Sequence, residues 1–156
     1  MFFIGVITNQ KNEIYIKNNL SKILPKENII FITDKNILNI KNIKFETIII
    51  DSRISNKIEL RKIVSSAKYV MLNSDIEMDF EVINDLNLTV ITYGFNNKST
   101  FTVSSITENS IIICLQRIIF NKNELKIEPQ EYELKVHENT EKYAVIAAGI
   151  VNVLYS

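Results

Sequence analysis

Apolar positions in the first two-thirds of the chain switch repeatedly between two periods. Phe2–Ile7, Asn28–Thr33, Phe45–Ile50, Lys68–Leu72 and Leu88–Tyr93 are short runs rich in β-branched and aromatic residues. Such runs read as strands that are apolar on both faces. Between them, Ile16, Leu20, Ile23 and Leu24 recur at helical spacing, and Pro25 predicts the end of that helix. Leu60, Ile63, Val64 and Ala67 mark one face of a second helix; Phe80, Ile83 and Leu86 predict a short third. Lys35–Lys44 reads as a short helix or a loop. Strands joined in this way imply an α/β fold, a mostly parallel Rossmann-like sheet with helices on both faces.

The pattern changes near Asn96–Ser99. Phe101 and Val103 alternate with Thr100, Thr102 and Ser104, and Tyr132, Leu134 and Val136 alternate with Glu131, Glu133 and Lys135. This period of two predicts a small antiparallel sheet with one wet face. Asn121-Lys122-Asn123 reads as a hairpin turn. A C-terminal helix is predicted over about Asn139–Leu154, with Ala144, Ala147, Ala148, Val151 and Leu154 as its apolar stripe. The whole chain, 1–156, reads as one domain. Its parts are a parallel α/β portion over 1–96, antiparallel strands over 97–137 and a helix over 138–156.

Bulk properties narrow the function classes. Eighteen basic and eighteen acidic residues cancel, which argues against the basic face that nucleic acid requires. The longest apolar runs, such as Thr47–Ile50 and Ile111–Leu115, fall far short of the roughly 20 residues of a membrane span. The N-terminal MFFIGVITN lacks a basic segment and a small-residue cleavage site, so it reads as a first strand and the chain as cytoplasmic. One cysteine, Cys114, sits in the run IIICL and reads as a small buried hydrophobe.

Ligands of an open parallel sheet bind beyond the carboxyl ends of its strands. Thr8, Asn9 and Lys11 follow the first predicted strand, Asp34 the second, Asp51 the third, and Asn73, Ser74 and Asp75 the fourth. Three rim carboxylates could serve a cation or polar ligand. Equally, Asp and Ser after a strand cap the next helix, and these carboxylates are expected to be solvated or capping. Only Gly5, Gly94 and Gly149 exist, so the turn after the first strand has no glycine to cradle phosphate. His137, the single histidine, has no partners that would make a zinc site or a triad.

Three stretches resemble the central ATP-binding domain of the Mur ligase family. IGVITNQKNEIYIKNNL is similar to its first strand, phosphate loop and first helix, which typically read I-G-V-T-G-T-N-G-K-T-T-T. Thr8, Asn9 and Lys11 match the T-N-G-K core; Gln10 stands for its glycine, and Asn12 and Glu13 for the hydroxyl residues, the first of which binds magnesium. AKYVMLNSDIE followed by LTVITYGFNNKSTFTVSSI resembles the later part of that domain. There, a strand ending in Asn and Asp precedes one ending in T-Y-G, and a small antiparallel sheet follows. HENTEKYAVIAAGIVNVL is similar to the start of an H-N-x-x-N-A-L-A-A helix, with spacing about one residue off.

The resemblance implies a bacterial, Mur-ligase-like α/β domain with a link to cell-envelope metabolism. The departures from it imply lost chemistry, since the glycine loop, the magnesium-binding hydroxyl and the flanking ligase domains have no counterpart. The expectation is therefore a non-catalytic domain, a pseudoenzyme that takes no cofactor and does not bind ATP. It acts by association with a partner protein or as a homodimer. Two alternatives stand beside it. One is a small-ligand or metal-binding module using Asp34, Asp51 and Asp75 with Lys11. The other is a receiver-like signalling domain with Asp51, Ser74 and Lys98 at strand ends, against which the lack of acidic residues at Thr8-Asn9 counts.

Overall fold

The computed structural model of the chain describes residues 2–77, 80–137 and 139–156. Its centre is one eight-stranded sheet in the order β10-β7-β6-β5-β4-β3-β1-β2. Strands β1 (Phe3–Ile7), β2 (Ile29–Phe31), β3 (Phe45–Ile50), β4 (Tyr69–Asn73), β5 (Thr89–Gly94) and β6 (Phe101–Ile106) run parallel. Strand β7 (Ser110–Leu115) is antiparallel to β6, and β10 (Glu131–Lys135) is antiparallel to β7. A separate two-stranded sheet pairs β8 (Ile119–Phe120) with β9 (Lys126–Ile127).

The α/β class, the mostly parallel sheet, a small antiparallel sheet (β8–β9) and the C-terminal helix are as the sequence predicts. The alternating segments, however, continue the main sheet rather than standing apart from it. Strand β6 docks beside β5 through Tyr93↔Phe101 and Gly94↔Thr102. Phe101 is fully buried by that docking, and the antiparallel strands then share the apolar face of their parallel neighbours.

Side chains alternate across a strand, and that alternation divides the core in two. Ile4, Val6, Ile49, Met71, Ile91, Tyr93 and Phe101 face helices α1 (Gln10–Leu20) and α3 (Lys142–Tyr155). Ile7, Ile48, Ile50, Val70 and Leu72 face helix α2 (Lys57–Val64) and the 3-10 turns Ile37–Asn39 and Phe80–Val82. Helix α3 lies against α1 as well as the sheet, so all of Ala144–Val151 is buried. Its alanines permit that double contact, because a larger residue would hold one neighbour off.

Several boundaries differ from the sequence reading. Helix α1 stops at Leu20, and Ile23 and Leu24 form a turn bonded back to the Leu20 carbonyl before Pro25 is reached. Lys35–Lys44 is a loop holding one 3-10 turn, within the sequence reading, whereas Phe80 lies in a 3-10 turn, Ile83 in the turn that follows it and Leu86 in the loop beyond, rather than in a helix. Helix α3 begins three residues later than expected; position 138 of the expected span lies outside the described residues. The predicted hairpin turn is present. Asn121 Oδ1 accepts from Asn123 N at 2.9 Å and Leu125 N at 3.0 Å, which closes β8 onto β9. Cys114 is half-buried on β7 rather than fully buried. No helix among the described residues is long and apolar enough to cross a membrane.

Ala148, 3% exposed, tests the role of α3. Ala148→Asp would place an unpaired charge in the α1–α3–sheet core and should cost several kcal/mol in chemical denaturation. Deleting the chain after Val136 should leave no sharp thermal transition. A cooperative transition in that truncated protein would place the stability elsewhere.

Candidate functional site

The sheet order reverses between β1 and β3, since connections leave these neighbours in opposite directions. In doubly wound sheets the crevice beyond such a switch point is where ligands sit. Here that position is filled by the protein's own polar groups. The link from β1 to α1 is only Thr8 and Asn9, because α1 starts at Gln10. Asn12 extends the stripe of Ile16 and Leu20 at four-residue spacing and is buried with them.

Asp51, directly after β3, is 5% exposed. Its Oδ2 accepts from Thr8 Oγ1 at 3.0 Å, and its Oδ1 accepts from Tyr93 OH at 2.6 Å and Asn73 Nδ2 at 3.2 Å. The expectation of a solvated or capping carboxylate is therefore wrong for Asp51. Three donors converge from neighbouring strand ends and offset part of its desolvation. Burial still raises its pKa, with the bonds from Tyr93, Thr8 and Asn73 opposing that rise and the Glu141 charge adding to it. The Tyr93 hydroxyl is pushed well above its ordinary range by its own burial and then by Asp51.

Asn73 relays outward from this centre, since its Oδ1 accepts from Asp75 N at 2.9 Å. The Asp75 carboxylate accepts from Phe95 N at 2.6 Å, Asn96 N at 3.3 Å and Tyr143 OH at 2.9 Å. Gly94 is required there: its φ is +155° and a Cβ would lie 2.6 Å from Asp75 Oδ2. The Tyr143 hydroxyl is raised to about 12, by burial first and then by Asp75. On the α1 side, the Asn12 amide donates to Glu141, the residue preceding α3.

Thr8, Asp51, Asn73 and Asp75 are thus brought into one network. Asn9 and Lys11 are exposed at the start of α1; the Asn9 carbonyl accepts from Asn12 N at 2.9 Å, and among the described residues neither side chain is bonded to the network. Asp34 stands apart and holds the backbone N–H of Ser55 at 2.8 Å. Tyr93 and Tyr143 belong to the network, and the Asn12–Glu141 pair lies beside it, the Glu141 charge acting on Asp51; these four were not anticipated as site residues. The i, i+4 stripe carries a signal for Asn12, and alternation with buried Ile91 carries one for Tyr93, whose hydroxyl then needs a partner.

Among the described residues, no group of three or more His, Cys, Asp or Glu side chains is disposed to hold a metal ion. Asp51 is closed off by its donors, and Lys98 engages Asn96 and Arg117 through its backbone. A cleft beside the network, lined by Ile50, Ser52, Arg53, Lys57 and Ile76, encloses about 260 Å³. No family model matches the chain, and no curated protein matches it.

Two substitutions separate the bonding role of Asp51 from its charge. Asp51→Ala orphans the buried donors of Tyr93 and Asn73 and should cost about 1–3 kcal/mol for each. Asp51→Asn keeps an acceptor for both, and the Thr8 hydroxyl can turn to accept, so it should lie within about 1 kcal/mol of wild type. Because the folded pKa of Asp51 is raised, its contribution is fully present below the unfolded pKa and is lost as pH rises through the folded value. Relative to wild type, Asp51→Asn should therefore be more favourable at neutral pH than in acid. Urea titrations across that range showing no such trend would mean the carboxylate is not desolvated.

Proposed function

We propose that the chain is a non-catalytic, Mur-ligase-like α/β domain that works by protein association, first with a second copy of itself. Cell-envelope metabolism is the setting the resemblance implies. The observation that carries this reading is the occupation of the switch-point rim by internal bonds. A phosphate cradle needs converging backbone N–H groups, a helix N-terminus and a hydroxyl to hold magnesium. The β1–α1 link has two residues and no glycine. Asn12, at the position the resemblance gives to the magnesium-binding hydroxyl, is buried and bonded to Glu141. The carboxylates a ligand would need are likewise engaged with Thr8, Tyr93, Ser55 and Phe95.

The test is calorimetry with millimolar Mg-ATP, supported by a thermal-shift panel of ATP, GTP, magnesium, calcium, acetyl phosphate and UDP-sugars. No heat of binding, no rise in melting temperature and phosphate release at the buffer rate are expected. A ligand that binds only the native state must raise the transition. Saturable ATP binding below about 100 μM, abolished by Lys11→Ala, would replace this reading with that of a nucleotide-binding domain.

A further inference from the structure

The two ends of the sheet are unlike. Strand β2 is three residues long, and its Phe31 carbonyl is covered by Asn36 Nδ2 at 2.7 Å. Strand β10 is five residues long and has a neighbour on one side only. Its pairing register fixes which of its backbone groups are used. Leu115 N bonds to Gln130 O and Val136 N to Asn109 O, both at positions of the β10–β7 register. Antiparallel hydrogen-bonded pairs recur every second residue, so the even positions of β10 serve β7. The N–H and C=O of Glu131, Glu133 and Lys135 point away from the sheet. The side chains of these three residues are exposed, while Tyr132, Leu134 and Val136 pack toward the core beneath α3.

A strand edge of this kind invites another strand, and its side chains choose which. Two copies of β10 can pair antiparallel about a two-fold axis only in registers that keep odd positions opposite odd. If the axis passes at Glu133, that carboxylate faces its own copy, which is unfavourable. If it passes at Leu134, Glu133 faces Lys135 of the second copy twice over. Leu134 then meets Leu134, Tyr132 meets Val136, and Glu131 meets His137. The outward N–H and C=O groups match in this register as well. Neither Glu133 nor Lys135 has an ion-pair partner within the chain among the described residues.

Resting on the association reading above, we infer that the chain forms a two-fold dimer through β10–β10 pairing centred on Leu134. The pairing joins the two sheets into one continuous sheet. The occupant is a second copy rather than an unrelated strand, because the Glu133–Lys135 order is complementary to itself. The interface is narrow, so the dimer is of modest affinity, in the class of small transient contacts.

Sedimentation equilibrium of the full chain up to about 100 μM, at low and at moderate salt, tests the proposal. Wild type should be dimeric, more firmly so at low salt. Lys135→Glu and Glu133→Lys each place like charges opposite one another and should weaken dimerisation at least tenfold. The double exchange Glu133→Lys/Lys135→Glu should restore it. All three variants change exposed side chains only, and thermal melts confirm that they remain folded. A monomeric wild type would overturn both the dimer and the self-association reading. A wild-type dimer that is indifferent to either single reversal, or not rescued by the double exchange, would overturn only this interface and register.

Discussion

The carboxylate of Asp51 joins the carboxyl ends of four strands that are adjacent in the sheet. Thr8 follows β1, Asp51 follows β3, Asn73 ends β4 and Tyr93 lies in β5, and the order β5-β4-β3-β1 makes them neighbours. Parallel strands are held in register by apolar packing, which constrains position only loosely along the strand axis. A buried acceptor with three directional donors adds what packing lacks: it penalises any slip that would leave a donor in an apolar space. The rim beyond depends on the same point. Asn73 is held by Asp51 on one side and positions Asp75 on the other, and Asp75 in turn holds the turn after β5 and the start of α3.

The same geometry accounts for the α1–α3 pairing. With only Thr8 and Asn9 between strand and helix, the first turn of α1 begins close over the rim. Its inward residue at that level is Asn12, which is polar and buried, and the nearby polar partner is Glu141 at the start of α3. One bond thus pins the two helices where they meet the sheet. Below it, Ile16 and Leu20 pack in the same cluster as Ala144, Ala147 and Val151. The polar contact joins the helices at one point, and the apolar stripe supplies the burial below it.

Legibility in the sequence followed the range of the interactions. The parallel strands could be read because burial on both faces demands apolar runs, as in Phe45–Ile50. Helix α3 could be read because its stripe is local. The joining of β6 to β5 could not, because the pairing is chosen by whichever apolar face completes the core, and alternation looks the same in a separate sheet. Helix ends were misplaced where turns such as Leu20–Leu24 carry apolar residues at nearly helical spacing. For the site, Thr8, Asp51, Asn73 and Asp75 were found by the rule of strand ends. An Asp after a strand has the same local sequence whether it faces water or three buried donors, so the role of Asp51 was hidden. Asp34 and Asp51 occupy equivalent sequence positions and have opposite exposure.

An accommodating phosphate loop and this network exclude one another. A loop that wraps an anion must hold the first helix back from the strand ends and leave its backbone N–H groups and a metal ligand free. The short link here starts α1 directly after Asn9, and the rim is occupied by the Asn12–Glu141 and Thr8–Asp51 bonds. Glycine at position 10 alone would therefore not make a cradle, because the rim residues are already bonded to one another. The polar groups of the rim are bonded to one another, whereas the outward backbone groups of Glu131, Glu133 and Lys135 lie at the far edge of the sheet, on β10. Pairing of the kind proposed would take place at the end of the sheet, away from the switch point, and would need no change in the core.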